Sequence, residues 1–368
     1  MTCTGRLVKE PIVIAEEVAT ALAEGRGVVA LETAVLTHGL PRRPWPAPPL
    51  ANWICDRHAG LGIESAWRDD RPIHLETVRL MGEAVRAAGS VPAVVGMLDG
   101  QLHVGMSEAM LERLADSDRP AKLSARDLGV AAASRRDGGT TVAGTLAACG
   151  LTASSCGRSI EVMATGGIGG AHRGWSLSAD ISADLRLLSE SPVLLVACGA
   201  KSILDLDATA EMLDTLAVPV VGFGTDHWPR FISPPDGRIR CAWRVDDAAA
   251  AAASCRHHWS SFAQRSAMLL LNPPPSAWAL AEAAELDRLI ATETASAHES
   301  GHRGAEVTPV LLERLVERTG GRSLLANVAL LLANARLAGE VADRLAGLDS
   351  PESPRHTGAA CEISPTRT

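Results

Sequence analysis

Lys201 and Glu32 are the two side chains whose type and position point most directly to reaction chemistry. Lys201 follows the apolar run VLLVACGA, and the carboxyl end of such a strand is where α/β sheets place their ligands. A free amine attacks a carbonyl-like carbon. Lysine's ordinary pKa of ~10.4 means that it needs desolvation or a neighbouring cation to react near neutrality. A lysine that caps a strand and reaches solvent would sit at the same position without reacting. Glu32 lies in the otherwise apolar run VVALETAV. Burial at a cleft would raise its pKa and favour the neutral acid, whereas pairing with a nearby Arg or Lys would make it a structural strand-end carboxylate.

Other candidates carry less information alone. ATGGIGGAHRG, Ala164 to Gly174, is a glycine-rich turn after an apolar run; its amides could approach a phosphate or sugar, or it could be an ordinary tight connection. It lacks dinucleotide-binding spacing, and GAKS near Lys201 does not complete a Walker A loop. Asp180 and Asp184 flank Ser182 in DISADLRLL, where carboxylates either cap a helix or hold a hard cation such as Mg²⁺ or Mn²⁺ together with several waters. His38, His74 and His172 have no metal-ligand spacing and read as satisfied polar residues. No G-x-S-x-G nucleophile elbow is present.

These residues require a sheet to carry them. Pro11 to Glu24 has helical spacing, and Gly25 and Gly27 separate it from an apolar strand, Val28 to Leu31. Pro92 to Leu98 reads as a strand turned by Asp99-Gly100 into Leu102 to Val104. Further strands are expected at Ile160 to Ala164, Pro192 to Ala197, Pro219 to Phe223 and Ala267 to Leu271. Helices are expected at Ser107 to Ala115, Arg126 to Ser134, Thr140 to Ala148, Ile203 to Leu216 and Asp246 to Ser260. The two threonines opening Thr140 to Ala148 mark a helix start whose free N–H groups could hold an anion. The last third is helical: Ser276 to His298, Thr308 to Thr319 and Leu324 to Leu345. The alternation predicts an α/β fold with a central sheet flanked by helices.

A chain of 368 residues that is 46% hydrophobic can bury a large core. Its net charge of -8 leaves no basic surplus, which argues against nucleic acid as a partner. MTCTGRLVKEPIVIAEEV has no signal-peptide core, and no later apolar run looks long and uncharged enough to span a bilayer; a cytoplasmic protein is expected. The eight cysteines form no C-x-x-C pair and read mostly as small buried hydrophobes in a reducing compartment.

Taken in order, LETAVLTHGLP, GMLDGQLHVG, AKLSARDL, DGGTTVAGT, ATGGIGGAHRG, DISADL, ACGAKSILD, VPVVGFGTD, VTPVLLERL and GRSLLANVALLLANARLA resemble the pseudouridine 5'-phosphate glycosidase family, also called indigoidine synthase A-like. The resemblance spans nearly Pro11 to Ala346. It implies a three-layer α/β/α homotrimer with a divalent metal, usually Mn²⁺, that cleaves pseudouridine 5'-phosphate to uracil and ribose 5-phosphate. The proton-donating glutamate matches Glu32 and the Schiff-base lysine matches Lys201. The metal-binding aspartate matches Asp180. Substrate contacts match Lys122, Val142, Ser182, Ala183 and Asp184, and an active-site asparagine matches Asn327.

One departure stands beside the site. The family's run after the glutamate strand is split here, because Gly39-Leu40-Pro41-Arg42 is separated from Pro72-Ile73-His74-Leu75-Glu76 by a Pro- and Trp-rich insertion, 44–70. His74 also replaces the usual asparagine. The insertion is either an irregular surface loop, a lid or an element that abolishes activity. The expected organisation is thus one domain over 1–346, interrupted by 44–70, and a disordered tail over 347–368.

Overall fold

The structure is a computed structural model that describes residues 11–44, 68, 70–280, 283–300, 307–348 and 364–365. Most of the insertion and most of the tail therefore lie outside the described residues. The exception in the tail is Ser364–Pro365, which pairs antiparallel with a strand of the sheet at Trp243–Val245.

Val28–Glu32 (β2) shows why the sheet forms. All five residues are buried, the near-continuous apolar pattern of a parallel strand covered on both faces. It pairs in parallel with Val91–Leu98 (β3) on one side and Val162–Ala164 (β7) on the other. Leu194–Ala197 (β8) extends the sheet from β7. Met268–Leu271 (β11), Val220–Phe223 (β9) and Trp243–Val245 (β10) follow in parallel. On the other edge, Gln101–Val104 (β4) pairs antiparallel with β3, and Ile12–Ile14 (β1) pairs in parallel with β4.

Helices cover both faces, as expected. One layer contains Ile73–Ala87 (α2), Ala248–Arg256 (α9) and Arg322–Leu348 (α12), with α12 packed against β2, β7 and β8. The opposite layer contains Glu16–Ala23 (α1), Val142–Cys156 (α5), Ala183–Glu190 (α7) and Leu206–Thr215 (α8). Ala283–Glu299 (α10) and Val307–Arg318 (α11) pack on each other beside α12. By length and composition α12 is apolar enough to cross a membrane, which the sequence reading missed, but 72% of its most apolar window is buried inside the fold. Its apolar surface is used in core packing.

Several boundaries differ from expectation. Pro11 to Glu24 is not one helix: Ile12–Ile14 is drawn into the sheet by pairing with β4, and the helix begins at Glu16. Thr140 ends a short strand, Gly138–Thr140 (β6), and Thr141 caps α5 by accepting from the Gly144 amide. Ala121–Leu123 (β5) pairs with β6, and β6 with β3. Four of the five described free cysteines, Cys149, Cys198, Cys241 and Cys255, are buried as small hydrophobes.

Candidate active site

The carboxyl ends of three neighbouring strands build one cavity. Glu32 ends β2, Thr165 follows β7, and Lys201 stands four residues beyond β8. Lys122 enters from β5, and Asn327 from α12. These five residues line the cavity together with His38, Gly166, Gly167 and Phe231. The structure thus brings together Glu32, Lys122, Lys201 and Asn327, which are distant in sequence.

The loop carrying Lys201 is held by its backbone. Gly199 has φ +75°, and a Cβ there would meet the Pro229 carbonyl at 2.9 Å, so a residue without a side chain makes the turn. The Lys201 amide donates to the Ile168 carbonyl at 3.1 Å, while the Ile168 amide donates to the Gly199 carbonyl at 3.0 Å. The Lys201 loop and the glycine-rich loop therefore lace together. Ser202 is clamped next door, its hydroxyl donating to the Arg230 carbonyl and its own carbonyl accepting from Arg173.

Burial governs the charges. Glu32 is 6% exposed, and loss of water pushes its carboxyl above the ordinary range; the positive charges of Lys201 and Lys122 and the Thr165 hydrogen bond oppose this, while Asp184 adds to it. Lys122 is held below the ordinary lysine range, first by burial and then by the like charge of Lys201. His38 is pushed down to about 4 by burial and by Lys122 and Arg42, so its ring is neutral at pH 7. It reaches the Thr37 hydroxyl through Nδ1. Considered alone it passed for a satisfied polar residue; only the fold puts it on the cavity wall.

The remaining candidates do not line this cavity. Val142 is the buried first residue of α5. Ser182 caps α7, its hydroxyl accepting from the Asp184 amide, and Ala183 is that helix's first residue. The Asp184 carboxylate accepts from the Gly169 and Ala143 amides. It therefore binds the glycine-rich loop to the start of α5. Amides at both places are engaged within the protein, as an ordinary connection requires: Ala143 donates to Asp184, Gly144 to Thr141, and Ala171 to the Thr209 hydroxyl. Gly166 and Gly167 remain on the cavity wall.

Asp180 is half-buried just before α7, its carboxylate 3.9 Å from the His172 ring. Among the described residues there is no cluster of three or more His, Cys, Asp or Glu side chains able to hold a metal. One carboxylate fits only a hard cation that keeps most of its waters. Asn334, which sequence reasoning missed, is fully buried on α12 and donates to the Thr165 carbonyl at 2.7 Å; an asparagine inside an apolar helix was its available signal.

Comparisons with known proteins agree with this arrangement. The family described as indigoidine synthase A like protein matches residues 69–344, beginning at the end of the insertion that splits the motif. A pseudouridine-5'-phosphate glycosidase of Chloroflexus aurantiacus is 43% identical over 336 residues, covering 91% of this chain and 99% of the relative. The crystal structure of an indigoidine synthase A-like protein from Thermotoga maritima superposes with a TM-score of 0.72 at 33% identity, covering 91% of this chain and 96% of that one. The prealnumycin C-glycosynthase AlnA, solved in complex with ribulose 5-phosphate, gives a TM-score of 0.74 at 35% identity, covering 92% and 98%. With the fold, the matched stretch and these relatives in agreement, the chain belongs to the indigoidine synthase A-like family.

Proposed function

We propose that this protein is a pseudouridine 5'-phosphate C-glycosidase that reversibly cleaves its substrate to uracil and ribose 5-phosphate through a Schiff base on Lys201. The observation that carries the reading is the shared cavity of Lys201, Lys122 and the buried acid Glu32. The near-full-length similarity to a glycosidase of that name supports the substrate.

A C-glycoside has no leaving oxygen or nitrogen to protonate, so carbon 5 of the uracil must take the proton. Lys201 adds to C1' of the ribose, and the C1'–O4' bond breaks with a proton going to O4'. Glu32 then protonates carbon 5. The C1'–C5 bond breaks, its electron pair returning to the uracil ring, while the Lys201 nitrogen lone pair forms the C1'=N iminium. Water hydrolyses the imine, releasing ribose 5-phosphate and the free amine. Lys122 adds positive charge beside Lys201 and attracts the phosphate. Family resemblance gives Val142, Ser182, Ala183 and Asp184 as substrate contacts; they stand outside the cavity wall, where Asp184 holds the glycine-rich loop against α5, and Asn327 lies on the wall itself.

Asp180 would hold one Mn²⁺, or Mg²⁺ in its place, and such an ion lends positive charge to an oxygen brought near it. The homotrimer is proposed from family resemblance, and a cytoplasmic location from the buried free thiols, which suit a reducing compartment.

A second reading, Schiff-base formation or cleavage of another C-glycosidic sugar phosphate, is favoured by a specific feature. An outer cavity lined by Leu40, Ile232, Val316 and Leu324 shares His38, Gly39, Phe231 and Asn327 with the catalytic pocket, leaving room for an aglycone larger than uracil. The two readings separate on incubation of the purified protein with pseudouridine 5'-phosphate and Mn²⁺. Release of uracil and ribose 5-phosphate, followed by chromatography, supports the first. Absence of both from folded, metal-loaded protein excludes it.

A further inference from the structure

We propose that Thr165 is the positioning residue of the proton donor: its hydroxyl, donated to Oε1 of Glu32, makes Oε1 the carbonyl oxygen of the neutral acid and leaves Oε2 to carry the proton into the cavity. The inference rests on the reading of Glu32 as the acid.

Both residues line the catalytic cavity, and Thr165 is 1% exposed. The Thr165 hydroxyl donates to Glu32 Oε1. A hydroxyl has one proton to give, and a neutral carboxyl has one O–H and one carbonyl oxygen. In the reverse arrangement, with Oε1 protonated and donating, the Thr165 proton would need another acceptor, and the hydrogen bonds of the described residues give it none. The donated bond therefore selects which oxygen is protonated.

Thr165 is itself fixed on both sides. Its amide donates to the Val196 carbonyl at 3.1 Å. Its carbonyl accepts from Asn334 Nδ2 at 2.7 Å, and Asn334 Oδ1 accepts from Asn272 Nδ2 at 3.0 Å. The ends of β7, β8 and β11 are thus tied through one buried asparagine of α12. A β-branched side chain on so constrained a backbone has little rotamer freedom, so its hydroxyl is a fixed point against which Glu32 is aimed. The charged groups acting on Glu32 are Lys201, Lys122 and Asp184, and the Thr165 substitutions below leave all three in place.

The test compares Thr165→Val, which keeps the shape without the hydroxyl, with Thr165→Ser, which keeps the hydroxyl. Cleavage of pseudouridine 5'-phosphate is measured across pH, with borohydride trapping of the Lys201 adduct. Thr165→Val is expected to lower kcat about tenfold or more, as loss of one hydrogen bond allows, with a much smaller change in KM. The pH limb belonging to Glu32 moves to higher pH, because a bond that favours the ionised carboxylate is gone. The Lys201 adduct still forms, and Thr165→Ser recovers both kcat and the limb. A folded valine variant with wild-type kcat and an unmoved limb overturns the proposal, as does a serine variant no better than valine. Should valine prevent folding, infrared difference spectra of the unsubstituted protein against Glu32→Gln read the neutral carboxyl directly: a carbonyl stretch lowered by an accepted hydrogen bond supports the assignment, and an unbonded carbonyl contradicts it. If the unsubstituted protein neither cleaves the substrate nor forms an adduct, the glycosidase reading falls and this inference with it. Cleavage with an indifferent valine variant removes only the role of Thr165.

Discussion

The Asp184 carboxylate accepts the Gly169 amide through Oδ2 at 2.8 Å, while its other oxygen accepts the Ala143 amide at 3.0 Å. One buried side chain thereby fastens the glycine-rich loop to the start of α5. The same loop accepts the Lys201 amide at Ile168, so Asp184 also fixes the nucleophile's backbone at one remove. A Cβ on Gly169 would lie 2.8 Å from the Asp184 carboxylate and 2.3 Å from the Ser182 hydroxyl, which is why this position takes glycine.

Replacing Asp184 by Asn puts an amide N–H₂ against one of two backbone donors. The variant should lose about 2 kcal/mol of stability, the scale of one hydrogen bond to a charged group. Chemical denaturation of the two proteins at neutral pH measures this directly. Equal midpoints and slopes would show that the bridge contributes nothing.

Glu32→Gln separates the two halves of the reaction. Turnover should fall by about 10²- to 10⁴-fold, the usual weight of a positioned general acid, while borohydride still traps ribose 5-phosphate, supplied directly, as its imine with Lys201. The substitution also has a signature in stability. Because burial raises the folded pKa of Glu32 above 4.5, the folded chain keeps a proton that the unfolded chain releases. That contribution is full below pH 4.5 and is lost as pH rises through the folded value. The stability difference between Glu32→Gln and the unsubstituted protein should therefore change across that window in favour of the glutamine variant. A pH-independent difference would mean that Glu32 ionises normally.

The sheet and its two reactive ends were legible because buried parallel strands leave runs such as VVALE and VLLVA, and a charge at the end of each is conspicuous. Helix α2 was not read from the sequence. Its Ile73, Val78, Met81 and Val85 recur at helical spacing, but the first turn also buries the polar His74, Glu76 and Thr77 and directly follows the irregular insertion, so its start was hidden. Strands β5 and β6 have three residues each and exist by pairing with each other and with β3; Gly-Gly-Thr has no local preference that would announce a strand. At the site, Lys122, Val142 and Asn327 were named through family resemblance, which also chose metal binding over helix capping for Asp180. Thr165 and Asn334 went unnoticed because their roles are hydrogen bonds between residues far apart in sequence.

Removal of divalent metal by chelation should reduce turnover, and Mn²⁺ should restore it. In Asp180→Asn the concentration of Mn²⁺ needed for half-maximal activity should rise at least tenfold, since one carboxylate is the main protein donor proposed. Metal titration of both proteins checks this. An unchanged requirement would move the ion away from Asp180.

The central claim is the covalent role of Lys201. Incubation with pseudouridine 5'-phosphate and Mn²⁺, reduction by borohydride and mass spectrometry of the proteolytic peptides should show a ribose 5-phosphate adduct on Lys201 together with free uracil, and Lys201→Met should abolish both. Uracil release without an adduct, or undiminished turnover by Lys201→Met, would contradict the account.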